Sequence, residues 1–192
     1  LQFLVLFTLN AFSQGPAQLQ KNYLKLTQSG NDTAKVNALN FLAKYHINVD
    51  QDSGRFYVEK ALTLAEKLNY PKGLGQAHLT LGILESDIGN YPEGLDHILK
   101  AIEIAEKTED HHLLAGCKLN LGNFYFKTGD IDKALETYRN GLDICNQYGL
   151  YYTQASLYSS IGMGLKMKGE LDSALIYYEK VLDIQYNSLH DT

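Results

Sequence analysis

The sequence predicts an all-α solenoid built from antiparallel helix hairpins with a 40-residue period. Three observations predict it: glycines recur at that interval, apolar residues within each copy follow helical spacing, and a turn signal separates two such stretches in each copy. Only 3 prolines occur among 192 residues, so long helices can form almost everywhere. The apolar fraction of 45% and the charged fraction of 20% are those of an ordinary folded protein.

An internal repeat is the strongest signal in the chain. Columns 40 residues apart contain Gly82, Gly122 and Gly162; Gly89, Gly129 and Gly169; Leu95, Leu135 and Leu175; and Ile104, Ile144 and Ile184. A fainter first copy lies upstream, where Ala61-Leu62 matches Ala101-Ile102. Because so many columns coincide in one register, we predict an array over residues 33–192. Its repeats fall at about 33–72, 73–112, 113–152 and 153–192.

Each copy has the pattern of one helix hairpin. In the third copy, apolar residues recur largely at intervals of three and four on both sides of Gly129-Asp130. Gly129 can end the first helix in the left-handed conformation, and Asp130 can cap the second. Pro92 falls in the first turn of the second helix of its copy, where proline is tolerated. The pattern therefore predicts helix, tight turn and antiparallel helix.

The repeated glycines of the first helices need a packing reason. Gly82, Gly122 and Gly162 fall in mid-helix, where glycine costs about 1 kcal/mol relative to alanine. Their recurrence indicates that the second helix needs the space of a side chain. We expect close approach through small residues of the second helices, namely Gly94, Ala134 and Ala174. The wider part of each hairpin core would be filled by Ile98, Tyr138 and Tyr178.

These columns resemble the tetratricopeptide repeat. That family has Leu-Gly and an aromatic residue on the first helix, then alanine, an aromatic residue and alanine on the second. The third copy matches best, with Leu121, Gly122, Tyr125, Gly129, Ala134 and Tyr138, and with Gly141 at the last alanine. The resemblance covers about residues 33–188 and implies a scaffold that binds a protein or peptide. The period of 40 exceeds the family's usual value of about 34, which predicts longer helices.

The start of the chain has the pattern of a secretory signal peptide. Leu1–Leu9 is an apolar run too short to span a bilayer, which takes about 20 residues, and Ala11 and Ser13 precede a cut before Gln14. Because an initiator Met and a basic segment are missing, the simplest account is a fragment that lacks its first residues. A buried amphipathic or core helix is the alternative. We assign residues 1–13 to the signal peptide and 14–32 to an N-terminal cap or linker helix.

A second resemblance rests on the long repeat, the signal-like start and the segment Asn31–Asn37. Together they are similar to the extracytoplasmic repeat regions of bacterial signalling proteins such as sensor histidine kinases. In those proteins the array precedes a transmembrane helix and a kinase or DNA-binding output domain. This resemblance implies an exported protein, periplasmic or membrane-anchored and facing the periplasm. It also implies that the chain continues, because the 192 residues contain no membrane span or output domain.

By resemblance to the family, the first helices line a concave surface that binds the partner. Groove-facing positions lie three before the repeated glycine, one after it, and three and four further on. The predicted peptide-binding residues are Leu79, Ile83, Ser86, Leu119, Asn123, Phe126, Lys127, Ser159, Met163, Lys166 and Met167, with Asp87 in the register of Lys127. A mixture of apolar side chains with a few charges suits a peptide. The alternative for each position is packing against a neighbouring hairpin.

Other kinds of site find little support in the sequence. A net charge of −5 without a long basic run disfavours nucleic acid as a partner. No phosphate-binding loop, nucleophile elbow or kinase signature occurs, so we expect neither catalytic residues nor a cofactor. His111 and His112 lack metal-ligand spacing and are assigned to a solvated loop, so no metal is expected. Cys117 and Cys145 are expected to be buried free thiols, although an exported protein could oxidise them.

The leading hypothesis is therefore an exported protein-interaction module rather than an enzyme. It would be the sensory or docking region of a bacterial signal-transduction protein. One alternative is a free-standing structural adaptor in an envelope complex. Another is the non-catalytic region of an enzyme whose catalytic domain lies beyond residue 192. The sequence leaves the partner, the signal and the oligomeric state open.

Overall fold

The computed structural model describes residues 16–190 except residues 29, 31 and 48. Every regular element in these ranges is an α-helix, which confirms the all-α class. The predicted signal peptide, residues 1–13, lies outside the described residues. The predicted cap or linker segment contains a helix from Pro16 to Thr27.

The helices follow one another through short connections. They are α1 (Pro16–Thr27), α2 (Thr33–His46), α3 (Gln51–Lys67), α4 (Pro71–Asp87), α5 (Tyr91–Lys107), α6 (His111–Lys127), α7 (Ile131–Tyr148), α8 (Tyr151–Met167) and α9 (Leu171–His190). Extensive packing joins α2 to α3, α6 to α7 and α8 to α9 as hairpins. The first helices α4, α6 and α8 begin two residues before the predicted repeat boundaries at 73, 113 and 153.

The chain forms two compact units, one up to Thr80 and one from Leu81 onward, with the boundary inside α4. In the first unit, Tyr23 of α1 stacks on Phe41 of α2 with ring centroids 3.8 Å apart. Asn40 of α2 is buried, and its Nδ2 donates a hydrogen bond to the carbonyl of Gly73 at 2.9 Å. Because a buried amide without partners is costly, this bond ties α2 to the first turn of α4.

In the second unit one core runs through α6, α7, α8 and α9. Its buried members are Ala115, Ala134, Leu135, Tyr138, Leu142, Cys145, Leu157, Ile161, Leu165 and Ala174. They recur at helical spacing, so each helix turns one apolar side toward its neighbours. Cys117 and Cys145 are buried free thiols, as expected. Burial raises the pKa of Cys117 to about 12 and the pKa of Cys145 to about 11.

Gly122 and Gly162 make room for a tyrosine of the second helix. A Cβ atom built on Gly162 would lie 2.7 Å from Tyr178 Cε1, and one built on Gly122 would overlap the Tyr138 ring. The aromatic rings therefore occupy the space that the missing side chains leave. The two tyrosines that the sequence assigns to the wider part of the hairpin core thus lie directly against the repeated glycines.

In the second copy the predicted backbone approach does occur at Gly82. A Cβ atom there would lie 2.6 Å from Ile98 Cγ1 and 3.0 Å from the carbonyl oxygen of Gly94. The two glycines thus bring the end of α4 and the start of α5 together, as expected for this pair.

The turn between α6 and α7 explains why the repeat contains Gly-Asp. Gly129 has a φ of +87°, which is in the left-handed region that L side chains rarely adopt. The Asp130 side chain accepts a hydrogen bond from the Lys133 amide at 3.2 Å and so caps α7. Both predictions for this turn are confirmed.

The loop assignment of His111 and His112 is wrong, because α6 begins at His111. The Asp110 side chain caps this helix by accepting a hydrogen bond from the Leu113 amide at 3.0 Å. The His111 ring stacks on Tyr148 of α7, with ring centroids 3.7 Å apart. Because Asp110 caps the helix, α6 begins two residues earlier than the sequence pattern indicates.

Candidate binding groove

A groove with a volume of about 170 Å³ lies in the second unit, and α4 to α8 each contribute to it. Its lining residues are Ile83, Ser86, Ile98, Asn120, Asn123, Phe124, Phe126, Lys127, Tyr138, Ser160 and Met163. The residues from α6 lie between Asn120 and Lys127, so about two turns of that helix form one wall. We refer to this set as the α6 groove.

The apolar part of the α6 groove is formed by Ile83, Phe126 and Met163, among others. Phe126 is half-buried because it also packs against the core of the second unit. That packing fixes the position of its ring. Met163 is 48% exposed, so its flexible side chain can adapt to a bound group.

The polar part of the α6 groove centres on Tyr138 and Asn123. The Tyr138 hydroxyl donates a hydrogen bond to Asn123 Oδ1 at 2.8 Å. Burial raises the pKa of Tyr138 to about 12, although a hydrogen bond with Ser160 opposes this shift. The hydroxyl is therefore neutral at physiological pH. Because Oδ1 of Asn123 accepts from Tyr138, the Asn123 Nδ2 group is the end of the amide that can donate to a ligand carbonyl.

Lys127 at the rim of the groove is paired with Asp87. The Lys127 Nζ atom contacts the Asp87 carboxylate, and the two residues stand 40 positions apart on neighbouring first helices. Both side chains are partly exposed, so the pair contributes little to stability. It does neutralise the rim, which leaves apolar contact and hydrogen bonding as the main means of binding here.

Six of the predicted peptide-binding residues line the α6 groove: Ile83, Ser86, Asn123, Phe126, Lys127 and Met163. Ser86 belongs to its floor rather than its surface. It is 5% exposed, and its hydroxyl donates to the Gly82 carbonyl at 2.7 Å.

Five predicted residues do not line this groove: Leu79, Leu119, Ser159, Lys166 and Met167. Leu119 is half-buried and packs against the core of the second unit, which is the alternative that the sequence left open. Met167 is 66% exposed and lies outside the groove, so it is a matched comparison for Met163. Leu79 belongs to the first unit.

Sequence reasoning missed five lining residues: Ile98, Asn120, Phe124, Tyr138 and Ser160. Ile98 and Tyr138 lie on second helices and were assigned to the hairpin cores, where they are also buried. Asn120, Phe124 and Ser160 fall between the positions expected to face the groove. The repeat register contained no signal for them, because the angle between neighbouring first helices decides which intermediate positions are reached.

Neither a metal site nor a membrane span appears in the described part of the chain. There, no three His, Cys, Asp or Glu side chains come together in a way that could hold a metal ion. None of the helices searched in those ranges combines the length and apolar character needed to cross a bilayer.

Comparison with known proteins supports a repeat fold. The sequence model of the tetratricopeptide repeat family matches residues 114–187, which include most of the third and fourth hairpins. No curated protein matches the sequence.

Several solved structures have a similar fold at low sequence identity. A Rap protein complexed with Competence and Sporulation Factor has a TM-score of 0.78 at 18% identity, over 90% of this chain and 52% of that one. Aspartyl phosphate phosphatase F from Bacillus subtilis has a TM-score of 0.73 at 17% identity, over 90% of this chain and 45% of that one. The tetratricopeptide-like repeats of a Podosopora anserina putative kinesin light chain have a TM-score of 0.60 at 15% identity, over 90% of this chain and 89% of that one.

The chain spans about half the length of the Rap protein and of the phosphatase. At identities below 20%, the similarity to those proteins shows a shared fold and does not show a shared activity. Residues 114–187 therefore match the tetratricopeptide repeat family in sequence, and the helical hairpins of the described residues have the fold of tetratricopeptide-like repeat proteins.

Proposed function

We propose that the chain is a protein-interaction scaffold that binds a peptide segment of its partner in the α6 groove. The observation that carries this proposal is the combination of an apolar wall with an amide donor in one groove. Phe126 and Met163 supply apolar contact, and Asn123 Nδ2 can donate to a peptide carbonyl. A groove of about 170 Å³ accommodates one or two side chains, so the rest of a peptide would lie along exposed surface.

The similar Rap protein gives this proposal further support, since that structure is a complex with Competence and Sporulation Factor. We carry over only the idea that such a fold presents a binding surface for a partner. The neutralised Lys127–Asp87 pair indicates that the segment bound by this chain is recognised by apolar side chains rather than by charge.

A peptide selection with matched variants tests the groove. Random displayed peptides are selected on the wild-type chain, and enriched sequences are titrated against Met163→Ala and Met167→Ala. We expect Met163→Ala to weaken binding about tenfold, since a buried apolar side chain contributes about 1.5–3 kcal/mol. Met167→Ala, which removes the same side chain outside the groove, should leave affinity unchanged.

Comparing the affinities of the two variants distinguishes peptide binding in the α6 groove from binding elsewhere on the surface. Peptides that bind both variants equally would place the site elsewhere, and an absence of enriched peptides would contradict peptide binding altogether. Phe126→Ala is a second variant, whose melting temperature must be measured because Phe126 also packs on the core.

We further propose that the protein is exported and serves as the sensory or docking region of a bacterial signal-transduction protein. The support is the apolar run Leu1–Leu9 followed by Ala11 and Ser13. Amino-terminal sequencing of the protein from its native envelope fraction should give Gln14 as the first residue. Recovery from the cytosol with residues 1–13 retained would contradict export. A transmembrane segment and an output domain encoded downstream would support the signalling role.

A further inference from the structure

A second groove lies in the first unit, where the end of α1, the start of α2 and most of α3 come together. Its volume is about 650 Å³, which falls in the range of about 300–1,000 Å³ that small-molecule sites have. Apolar surface is supplied by Leu39 of α2 and by Phe56, Tyr57 and Leu64 of α3. We call it the α3 groove, after the helix that supplies most of its lining.

The apolar part of the α3 groove has a buried floor and one exposed ring. Leu39 and Leu64 are 3% and 9% exposed, whereas Phe56 is 52% exposed. The Nζ atom of Lys60 lies 3.9 Å from the centroid of the Phe56 ring. This cation–π contact holds an ammonium group beside apolar surface. A ligand in the groove would therefore meet an apolar face and a positive charge together.

The charged part of the α3 groove is mainly basic. Three lining residues are lysines, Lys35, Lys60 and Lys67, and one is a carboxylate, Glu59. Lys60 and Lys67 are seven residues apart, so they lie on one side of α3, about 10 Å apart along its axis. Neither of these two forms an ion pair with a carboxylate of the described residues. Their ammonium groups are therefore available to an anionic ligand.

On α5, in the next copy, the two lysines at the same repeat positions are neutralised. Lys100 contacts Asp96 at 2.7 Å, and Lys107 contacts Glu103 at 2.5 Å. In each pair the acid stands four residues before the lysine, which is the favourable order on a helix. These four side chains together carry no net charge.

Helix α3 keeps the lysines and lacks both acids. Phe56 stands 40 positions before Asp96, and Thr63 stands 40 positions before Glu103. The exchange replaces two carboxylates with an aromatic ring and a hydroxyl group. One side of α3 thereby gains both the positive charge and the apolar surface of the α3 groove.

The charge of the first unit also favours an anion. Residues 1–80 contain 8 basic and 5 acidic residues, which gives a net charge of +3 with histidine neutral. Residues 81–192 contain 9 basic and 17 acidic residues, which gives a net charge of −8. Anions are therefore attracted to the unit that contains the α3 groove.

We propose that the α3 groove binds an amphipathic anion, which is a small molecule with an apolar chain and one acidic group. The chain lies on Leu39, Phe56 and Leu64, and the acidic group is paired by Lys60 and Lys67. The α3 groove shares no lining residue with the α6 groove, so this proposal is independent of the proposed function.

Dodecanoate is the probe for this site. It is titrated below its micelle concentration into the full chain at low ionic strength, and isothermal titration calorimetry measures the heat. We expect saturable binding that added salt weakens. Acetate has the acidic group without the chain, and dodecyltrimethylammonium has the chain with the opposite charge. Neither of these two ligands should bind.

Charge-removing variants place the acidic group. Lys60→Gln and Lys67→Gln should each weaken dodecanoate binding about two- to fivefold, as expected for a partly exposed ion pair. Lys44→Gln is the matched control, because Lys44 is exposed on α2, does not line the groove, and loses the same charge. This control should bind as tightly as wild type.

A double variant gives α3 the charge pattern of α5. Phe56→Asp combined with Thr63→Glu places an acid four residues before each lysine and removes the exposed ring. We expect it to weaken dodecanoate binding about tenfold or more. Both replaced side chains are exposed, so the melting temperature should stay near that of wild type.

Three results would overturn the proposal. The first is an absence of saturable dodecanoate binding, including the case in which the chain instead cosediments with phosphatidylglycerol vesicles through Lys60 and Lys67. The second is equal affinity of wild type and the Phe56→Asp, Thr63→Glu variant. The third is binding of dodecyltrimethylammonium as tight as that of dodecanoate, because the lysines would then have no part in recognition.

Discussion

At the scale of single residues, the hairpins of this chain depend on pairs in which a glycine and a large side chain share one space. Gly122 with Tyr138 is the tightest of these pairs. Tyr138 is 2% exposed, and its hydroxyl is held by Asn123, so the ring has little freedom to move aside. The same tyrosine lines the α6 groove. Hairpin packing and the shape of the groove are therefore coupled through one side chain.

Gly122→Ala should consequently lower the free energy of unfolding. Overpacking of a core costs about 1–3 kcal/mol. Alanine gains about 1 kcal/mol over glycine in helix propensity, so the gain offsets only part of a large overpacking cost. We expect a net loss of up to about 2 kcal/mol in the free energy of urea unfolding. In a Tyr138→Leu background the same change should be neutral or stabilising, because the ring is gone. A stabilising effect of Gly122→Ala in the wild-type chain would contradict this account.

The buried thiol of Cys117 predicts a loss of stability at alkaline pH. Burial raises the pKa of this thiol from 9.0 to about 12 in the folded protein. The folded state thus holds its proton where the unfolded state releases it, so stability is complete below pH 9.0 and falls as pH rises toward 12. Between pH 8 and pH 10 the wild-type chain should lose about 1.4 kcal/mol more than Cys117→Ala does.

Urea unfolding of both proteins at the two pH values measures this difference. Taking the difference between them removes the titration of the tyrosines and lysines, which both chains share. Equal losses in the two proteins would mean that the Cys117 thiol titrates normally in the folded state.

At the scale of the helices, short polar sequences decide where each element starts. Asp110 and Asp130 cap α6 and α7 through hydrogen bonds to backbone amides. Gly129 ends α6 with a φ of +87°. These local features keep the two helices of a hairpin in register, and so they hold Asn123 and Phe126 opposite the neighbouring first helices.

Asp130→Ala should shift the melting temperature downward without changing the fold. Loss of an N-cap side chain costs about 0.5–2 kcal/mol. Asn140→Ala is the control, since Asn140 is exposed within the same helix and alanine favours helix there. We expect circular dichroism melts to show a lower temperature for Asp130→Ala and an unchanged or slightly higher one for Asn140→Ala. Equal effects of both changes would argue against capping by Asp130.

At the scale of the whole chain, we expect the stability of each hairpin to depend on the hairpin packed next to it. Leu135 and Leu142 are buried in a cluster to which Leu157, Ile161 and Leu165 of α8 also belong. In repeat proteins each unit contacts mainly its neighbours, so stability is roughly a sum of unit and interface contributions. The corresponding leucines of α9, Leu175 and Leu182, are exposed.

Truncation after Gly149 should therefore weaken the third hairpin while leaving helical structure upstream. Removing α8 and α9 exposes Leu135 and Leu142, so the α6–α7 hairpin loses the apolar area that α8 buries. Circular dichroism should show a lower first transition, with a substantial helical signal at 20 °C. Complete loss of helix in the truncated chain would indicate one all-or-none domain instead of a modular array.

The sequence by itself determined the class of fold, the pairing of helices and the turn chemistry, because these depend on local properties that recur every 40 residues. Glycine columns, helical spacing and the Gly129-Asp130 turn are visible without any tertiary contact. Six of the residues that this register selects on the first helices line the α6 groove, among them Asn123 and Met163.

Only the tertiary structure decided which side chains meet. It showed that the Tyr138 ring fills the space beside Gly122, and that Asp87 forms an ion pair with Lys127. It also placed Leu119 against the core and left Leu175 exposed, although Leu175 shares a column with buried Leu135. The physical reason is that burial depends on what lies next to a helix. A repeating sequence gives the equivalent helices similar surfaces, whereas the elements that pack against those surfaces differ from one repeat to the next.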